Sequence, residues 1–105
     1  MIQEAIAQLV EGKDLSYETV ADCMDEIMSG EANQMDMAAY LTALRMKGES
    51  IDEIAASADG MRKHAVRLQH DTDVLEIVGT GGDEAYSFNI STTAGIVAAA
   101  AGIPV

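Results

Sequence analysis

The chain has 105 residues, 49% of them hydrophobic, which suits one ordinary domain or one and part of another. Its net charge of −12 excludes a nucleic-acid or anionic-membrane binder held by Lys and Arg, and no apolar run approaches the roughly 18 residues of a membrane span. A single cysteine, Cys23, gives no intramolecular disulfide, and Met1-Ile2-Gln3-Glu4 lacks a secretory leader's basic stretch, so a reducing cytoplasm is expected.

In chain order, Ile2, Ala5, Ile6, Leu9 and Val10 fall on one face of a first helix that Gly12 ends. Ser16 is placed to cap a second, with Val20, Cys23, Met24, Ile27 and Met28 inward and Gly30 as its stop. Asn33 caps a third, with Met37, Ala38, Leu41 and Leu44 inward and Gly48 closing it. Ser50-Ile51-Asp52-Glu53 reads as a capping box. It opens a fourth helix whose apolar face is Ile51, Ile54, Ala55, Ala58, Met61, Ala65 and Leu68. Residues 1–70 are therefore expected to form a four-helix bundle, a mainly α unit. Its core is thin, so some apolar surface is free for burial elsewhere. Met24, Met28, Met35, Met37, Met46 and Met61 suit the bundle's own gaps first and an interface second. Cys23 reads as packing. Asp25, Glu26, Asp52, Glu53 and Asp59 read as solvated faces or favourable N-terminal charges without chemistry. His64 and His70 lack zinc-site spacing and read as surface residues.

From residue 71 the pattern changes. Val74, Leu75, Ile77 and Val78 lead as a strand into Val78-Gly79-Thr80-Gly81-Gly82-Asp83, and Asn89-Ile90-Ser91-Thr92 follows six residues on. An alanine-rich helix is expected over 91–101 with Gly102 at its C-terminus, and Ile103-Pro104-Val105 reads as the start of another strand. Residues 71–105 are thus expected to be the first β-loop-α unit of an incomplete α/β domain. A strand, a glycine turn and a helix N-terminus present backbone N–H groups to phosphate. Glu84 occupies the sixth position of a would-be dinucleotide fingerprint, and no lysine follows Lys63, so a dinucleotide loop and a Walker loop both fail.

Gly79, Gly81 and Gly82 permit close approach of backbone to ligand. Asp83 suits a ribose hydroxyl, a metal-bound water or the loop's own shape. Ser87, Ser91 and Thr92 can donate to phosphate oxygens, Ser91 can also ligate Mg2+, and helix capping is compatible with both uses. No Lys or Arg occurs after Arg67. A diphosphate here would rest on backbone dipoles, hydroxyls and a divalent cation, or on basic residues brought from elsewhere.

Gly-Thr-Gly-Gly-Asp with a downstream Asn-Ile-Ser-Thr resembles the anthranilate phosphoribosyltransferases, within the glycine-loop phosphoribosyltransferase and nucleoside phosphorylase family, and the resemblance extends over the whole chain. It implies transfer of the phosphoribosyl group of phosphoribosyl diphosphate to anthranilate in tryptophan biosynthesis. It implies that Gly79, Gly82, Asp83, Ser87, Asn89, Ile90, Ser91 and Thr92 contact phosphoribosyl diphosphate, that Gly79 also meets anthranilate, and that Ser91 binds Mg2+. It also implies a homodimer that associates largely through the N-terminal helices, and a two-fold pairing of the first and third helices is expected. Family chains continue past the position of Val105, so this sequence is expected to be an N-terminal part, inactive alone. A phosphorylase-like homologue with another acceptor, or a non-catalytic acidic helical interaction module, are the alternatives.

Overall fold

The computed structural model describes residues 1–79, 81 and 87–105, which form two compact units, Met1–Arg67 and Leu68–Val105. The first contains α1 (Ile2–Val10), α2 (Tyr17–Met28), α3 (Gln34–Lys47) and α4 (Ile51–His64); the second contains α5 (Ile90–Ala100). No helix among the described residues is long and apolar enough to cross a membrane.

The helix boundaries follow local chemistry. The side chains of Ser16, Asn33 and Ser50 accept from the N–H groups of Thr19, Asp36 and Glu53, each satisfying a donor that a helix start leaves orphaned. Ser50 and Glu53 complete the expected capping box. At the end of α3, Gly48 takes φ +87°, a conformation that costs a residue with a Cβ, and the chain turns there into α4.

Within the first unit, α1 packs on α3, α2 packs on α4, and α1 meets α2. The core is formed by Ile2, Ala5, Leu9, Leu15, Val20, Cys23, Met24, Tyr40, Ala43, Leu44 and Ala56. Cys23 is buried, as its spacing suggests, and burial pushes its thiol up to about 11. The Tyr40 ring is fully enclosed while its hydroxyl has no hydrogen-bond partner among the described residues, a desolvation cost of about 1–3 kcal/mol that the ring's packing offsets.

Several inward faces differ from those read in the sequence. On α3 the buried residues are Tyr40, Ala43 and Leu44, while Leu41 is exposed. That helix carries apolar residues on every side, so periodicity alone does not select a face. On α4 the buried residues are Glu53, Ala56 and Gly60, whereas Ile51 is 85% exposed and Ile54 and Met61 are exposed too. The cause is close approach of helices α2 and α4: a Cβ on Gly60 would lie 2.6 Å from the Met24 Cβ. Only small residues fit that seam, and the larger apolar side chains turn outward. Val10 and Met28 are likewise exposed, and Leu68 lies beyond the end of α4.

Glu53 is the other reason for the rotation. Only 1% exposed, it is a tie between three segments and not a solvated charge. Its carboxylate accepts from the Leu15 N–H (2.8 Å), the Ser50 N–H (2.7 Å) and the Lys47 ammonium (2.9 Å). Lys47 also donates to Asp14 (2.6 Å) and to the Gly48 carbonyl. Burial alone would raise the Glu53 carboxyl, but the N–H groups of Leu15 and Ser50, with Lys47, hold it below the usual range. The polar flank of α2 and α4 carries its own ties, Tyr17 to Asp59 at 2.7 Å and Asp25 to Lys63 and His64. His64 is therefore a half-buried partner of Asp25, not a free surface histidine, and Lys63 and His64 hold the Asp25 carboxyl below its ordinary value.

The strand expected over 74–78 is not formed among the described residues. Leu75 donates to the Pro104 carbonyl (2.8 Å), and the Val78 N–H goes to the Glu76 side chain (2.8 Å) instead of a neighbouring backbone. A strand requires a run of ladder partners, and one such bond does not supply it. Residues 103–105 form no strand either. Helix α5 has no buried residue, because one helix beside one extended segment cannot enclose a core.

Two stability measurements check this account. Because the folded Glu53 carboxyl lies below its ordinary 4.5, its contribution is complete above that value and is lost as pH falls through the folded one. Thermal unfolding from pH 7 to pH 3 should show Tm falling below about pH 4.5. Glu53→Gln should cost about 2–3 kcal/mol at pH 7 and lessen that fall. Gly60→Ala should lower stability by about 1–3 kcal/mol in denaturant unfolding, since the seam must open to admit a methyl.

Candidate functional site

The candidate site begins with residues 73–79, which form neither helix nor strand and precede the glycine turn in sequence. Glu76 Oε1 accepts the Val78 N–H and so ends any backbone pairing one residue before Gly79. Gly79 is exposed, and Gly81 takes φ +76°, which fits a turn reserved for glycine. Thr80 and residues 82–86 lie outside the described residues, so two of the expected ligand contacts, Gly82 and Asp83, do as well.

The description resumes at Ser87, three residues before α5. The helix is capped by Asn89, not by Ser91 or Thr92. Asn89 Oδ1 accepts the Thr92 N–H at 3.3 Å, and the Asn89 carbonyl accepts the Thr93 N–H and the Thr93 hydroxyl, the latter at 2.9 Å. This leaves the Ser91 hydroxyl free of a capping role on the first turn, where Ser91 is half-buried. Ser87, Asn89, Ile90 and Thr92 are exposed. No acidic residue occupies the first turn of α5, so nothing on the helix offsets the partial positive charge at its N-terminus. Ser87, Asn89, Ser91 and Thr92 are thus gathered at one helix start, while Gly79 lies at the end of the approaching segment.

Gly95 was not singled out by its letters. A Cβ there would meet the Ile77 Cδ1 at 2.9 Å and the Val105 Cγ1 at 3.8 Å. Its lack of a side chain lets α5 lie close against the segment that leads into the glycine turn. An isolated glycine inside an apolar helical run is the signal that could have found it.

Among the described site residues at the start of α5 the donor set is neutral. Among the described residues no group of three or more His, Cys, Asp or Glu could hold a metal ion. The Ser91 hydroxyl supplies one oxygen ligand at most. That is compatible with Mg2+, which keeps several waters and is commonly held by substrate phosphates, and it does not make a protein-held cage.

A second surface lies on the bundle. Helices α1 and α3 flank an apolar groove of about 610 Å3 lined by Ile6, Val10, Ala39, Thr42, Met46 and neighbouring residues. The exposed Val10 and Met46 find their place in its walls.

Residues 3–65 match the helical bundle domain of the glycosyl transferase family, and residues 71–105 match its a/b domain. The whole chain is 71% identical to a protein of Lachnoclostridium phytofermentans named anthranilate phosphoribosyltransferase, and covers 31% of it. It is 59% identical over its full length to the protein of that name from Methanobrevibacter smithii and 51% identical to that from Ruminiclostridium cellulolyticum, again covering 31% of each. The chain thus spans about a third of the length of these curated relatives. No solved structure matches it.

The cap gives a direct check. Asn89→Ala should cost α5 about 1 kcal/mol and fray its first turn, read as loss of amide protection at Thr92 and Thr93 in hydrogen exchange. Unchanged protection at both amides would show that Asn89 does not set the helix start.

Proposed function

This chain belongs to the glycosyl transferase family, and from that premise we propose that it serves the transfer of a phosphoribosyl group from phosphoribosyl diphosphate to anthranilate, a step of tryptophan biosynthesis. The observation that carries this reading is the start of α5 downstream of the glycine motif, where Asn89 supplies the cap and, among the described residues, leaves the Ser91 hydroxyl without a capping role. The names of relatives identical at 51–71% across the full chain support it.

In this reading the N-terminus of α5 receives the diphosphate. The hydroxyls of Ser87, Ser91 and Thr92 donate to its oxygens, and the helix dipole favours its charge. Gly79 lets the backbone approach both phosphoribosyl diphosphate and anthranilate, and Gly82, Asp83, Asn89 and Ile90 complete the contacts. Departure of diphosphate leaves positive charge on the ribose, so what the residues supply is positioning and stabilisation of the leaving group. Mg2+, with Ser91 as its ligand from this chain, would neutralise charge on the departing oxygens. No general base stands among the described site residues, and an aryl amine attacking a cationic carbon needs little assistance.

The reading includes a homodimer built on α1 and α3. The apolar groove between them supports it, since an exposed patch of this kind on a helical unit is a surface to be covered. A cytoplasmic setting belongs to the same reading and is supported by the lone, buried Cys23.

Calorimetric titration of the chain with phosphoribosyl diphosphate tests the site. Binding is expected to require Mg2+ and to weaken by about tenfold or more in Ser91→Ala, the loss of a hydrogen bond to a charged group. Absence of metal-dependent binding by a chain shown to be folded would overturn the assignment of the loop as a site complete in these residues.

A further inference from the structure

We propose that Gly95 is a positioning residue for the phosphoribosyl diphosphate site: with Ile77 seated against it, it sets the distance between the glycine turn and the first turn of α5. The proposal rests on the reading of the site given above and adds to it a residue that touches no ligand.

Three contacts, all within the second unit, fix how the segment before the glycine turn lies along α5. The Ile103 N–H bonds to the Ala98 carbonyl (3.1 Å), so the chain after Gly102 turns back along the helix, and a Cβ on Gly95 would come within 3.8 Å of Val105 Cγ1. Leu75 donates to the Pro104 carbonyl, next in the chain to Val105. Ile77 reaches Gly95 itself, where its Cδ1 would lie 2.9 Å from an added Cβ. From Leu75 to Ile77 the segment therefore advances from the C-terminal end of α5 toward its start. Gly79 follows Ile77 by two residues, a reach of at most about 7 Å. Ser91 precedes Gly95 by one helical turn, about 6 Å along the axis. The two spans match, and the contact of Ile77 with Gly95 thereby governs how near Gly79 comes to the turn that carries Ser91.

The burial pattern agrees. On α5 the half-buried residues are Ser91, Gly95 and Ala98, which share one helix face, and within 73–79 the half-buried residue is Ile77. The limit at position 95 is one of size. A single methyl there meets only the far end of the flexible Ile77 side chain. A valine is different, because its χ1 is nearly fixed in a helix and its branches cannot swing clear. The segment leading to the glycine turn must then move away from α5.

The experiment is calorimetric titration of the full chain and its variants with phosphoribosyl diphosphate and, separately, with inorganic diphosphate, both in Mg2+. Hydrogen exchange at Thr92 and Thr93 verifies the start of α5. Inorganic diphosphate needs only the helix start, whereas phosphoribosyl diphosphate spans the helix start and the Gly79 backbone. Gly95→Val should therefore weaken phosphoribosyl diphosphate by about tenfold or more and inorganic diphosphate by less than about threefold. Gly95→Ala should bind both within about threefold of the natural chain. Ile77→Ala should also weaken phosphoribosyl diphosphate, and Gly95→Val combined with Ile77→Ala should recover to within about threefold, a rescue that general loosening of the unit does not give. If Gly95→Val loses protection at Thr92 and Thr93, Ile77→Ala carries the same comparison of the two ligands. Unchanged affinity in both single variants, equal loss of both ligands, or a double variant no better than either single one overturns this proposal while leaving the site standing. A folded natural chain that binds neither ligand overturns the reading of the site, and this proposal with it.

Discussion

The bundle is organised around one carboxylate. Glu53 receives a backbone N–H from the loop that follows α1, a backbone N–H from the turn that opens α4, and the ammonium of Lys47 at the end of α3. Buried charge is costly unless it is paired and hydrogen-bonded, and here both conditions are met by groups from three segments. The tie is specific as well as cohesive. It requires Lys47 to reach back past Gly48, which the positive φ of that glycine allows, and it fixes which side of α4 faces inward.

That choice of side sets the character of the surface. With Glu53, Ala56 and Gly60 directed to the core, α4 gives up its larger apolar residues to the exterior, and α2 approaches until Met24 touches Gly60. Polar ties through Asp59 and Asp25 hold the same helix pair along its flank. On the other side of the unit, α3 buries Tyr40 and Leu44, and α1 and α3 flank a groove in which Val10 and Met46 stand. Much of the exposed apolar surface of this unit thus follows from how the interior is tied.

Much of this was legible in the letters. Ser16, Asn33 and Ser50 announce three helix starts because a short polar side chain followed by helical spacing has one economical use, and Gly12, Gly30 and Gly48 mark the stops. The inward faces of α3 and α4 were less legible. Apolar residues encircle α3, and on α4 the regular series Ile51, Ile54, Ala58 and Met61 outweighs Glu53 on any hydrophobic count. What decides is a hydrogen-bond network whose members lie far apart in sequence. The glycine turn was evident as a motif, and the helix after it formed, but the cap fell to Asn89 where Ser91 and Thr92 were equally plausible by type. The strand before it was a fair reading of Val74, Leu75, Ile77 and Val78. A strand, however, exists only with its partners, and here Leu75 finds a single carbonyl.

The span of the Glu53 tie bears on how the bundle assembles in time. The bond from the Leu15 N–H to Glu53 joins residues 38 apart in sequence, whereas each helix closes through bonds four residues apart. Closing so long a loop is entropically expensive until much of the intervening chain is already ordered. The tie is therefore expected to form late in folding, once the intervening α2 and α3 are ordered. Interactions absent from the transition state act mainly on the rate of escape from the native state. The buried carboxylate is thus a brake on unfolding, and the lifetime of the folded bundle depends on it more than the speed of its formation does.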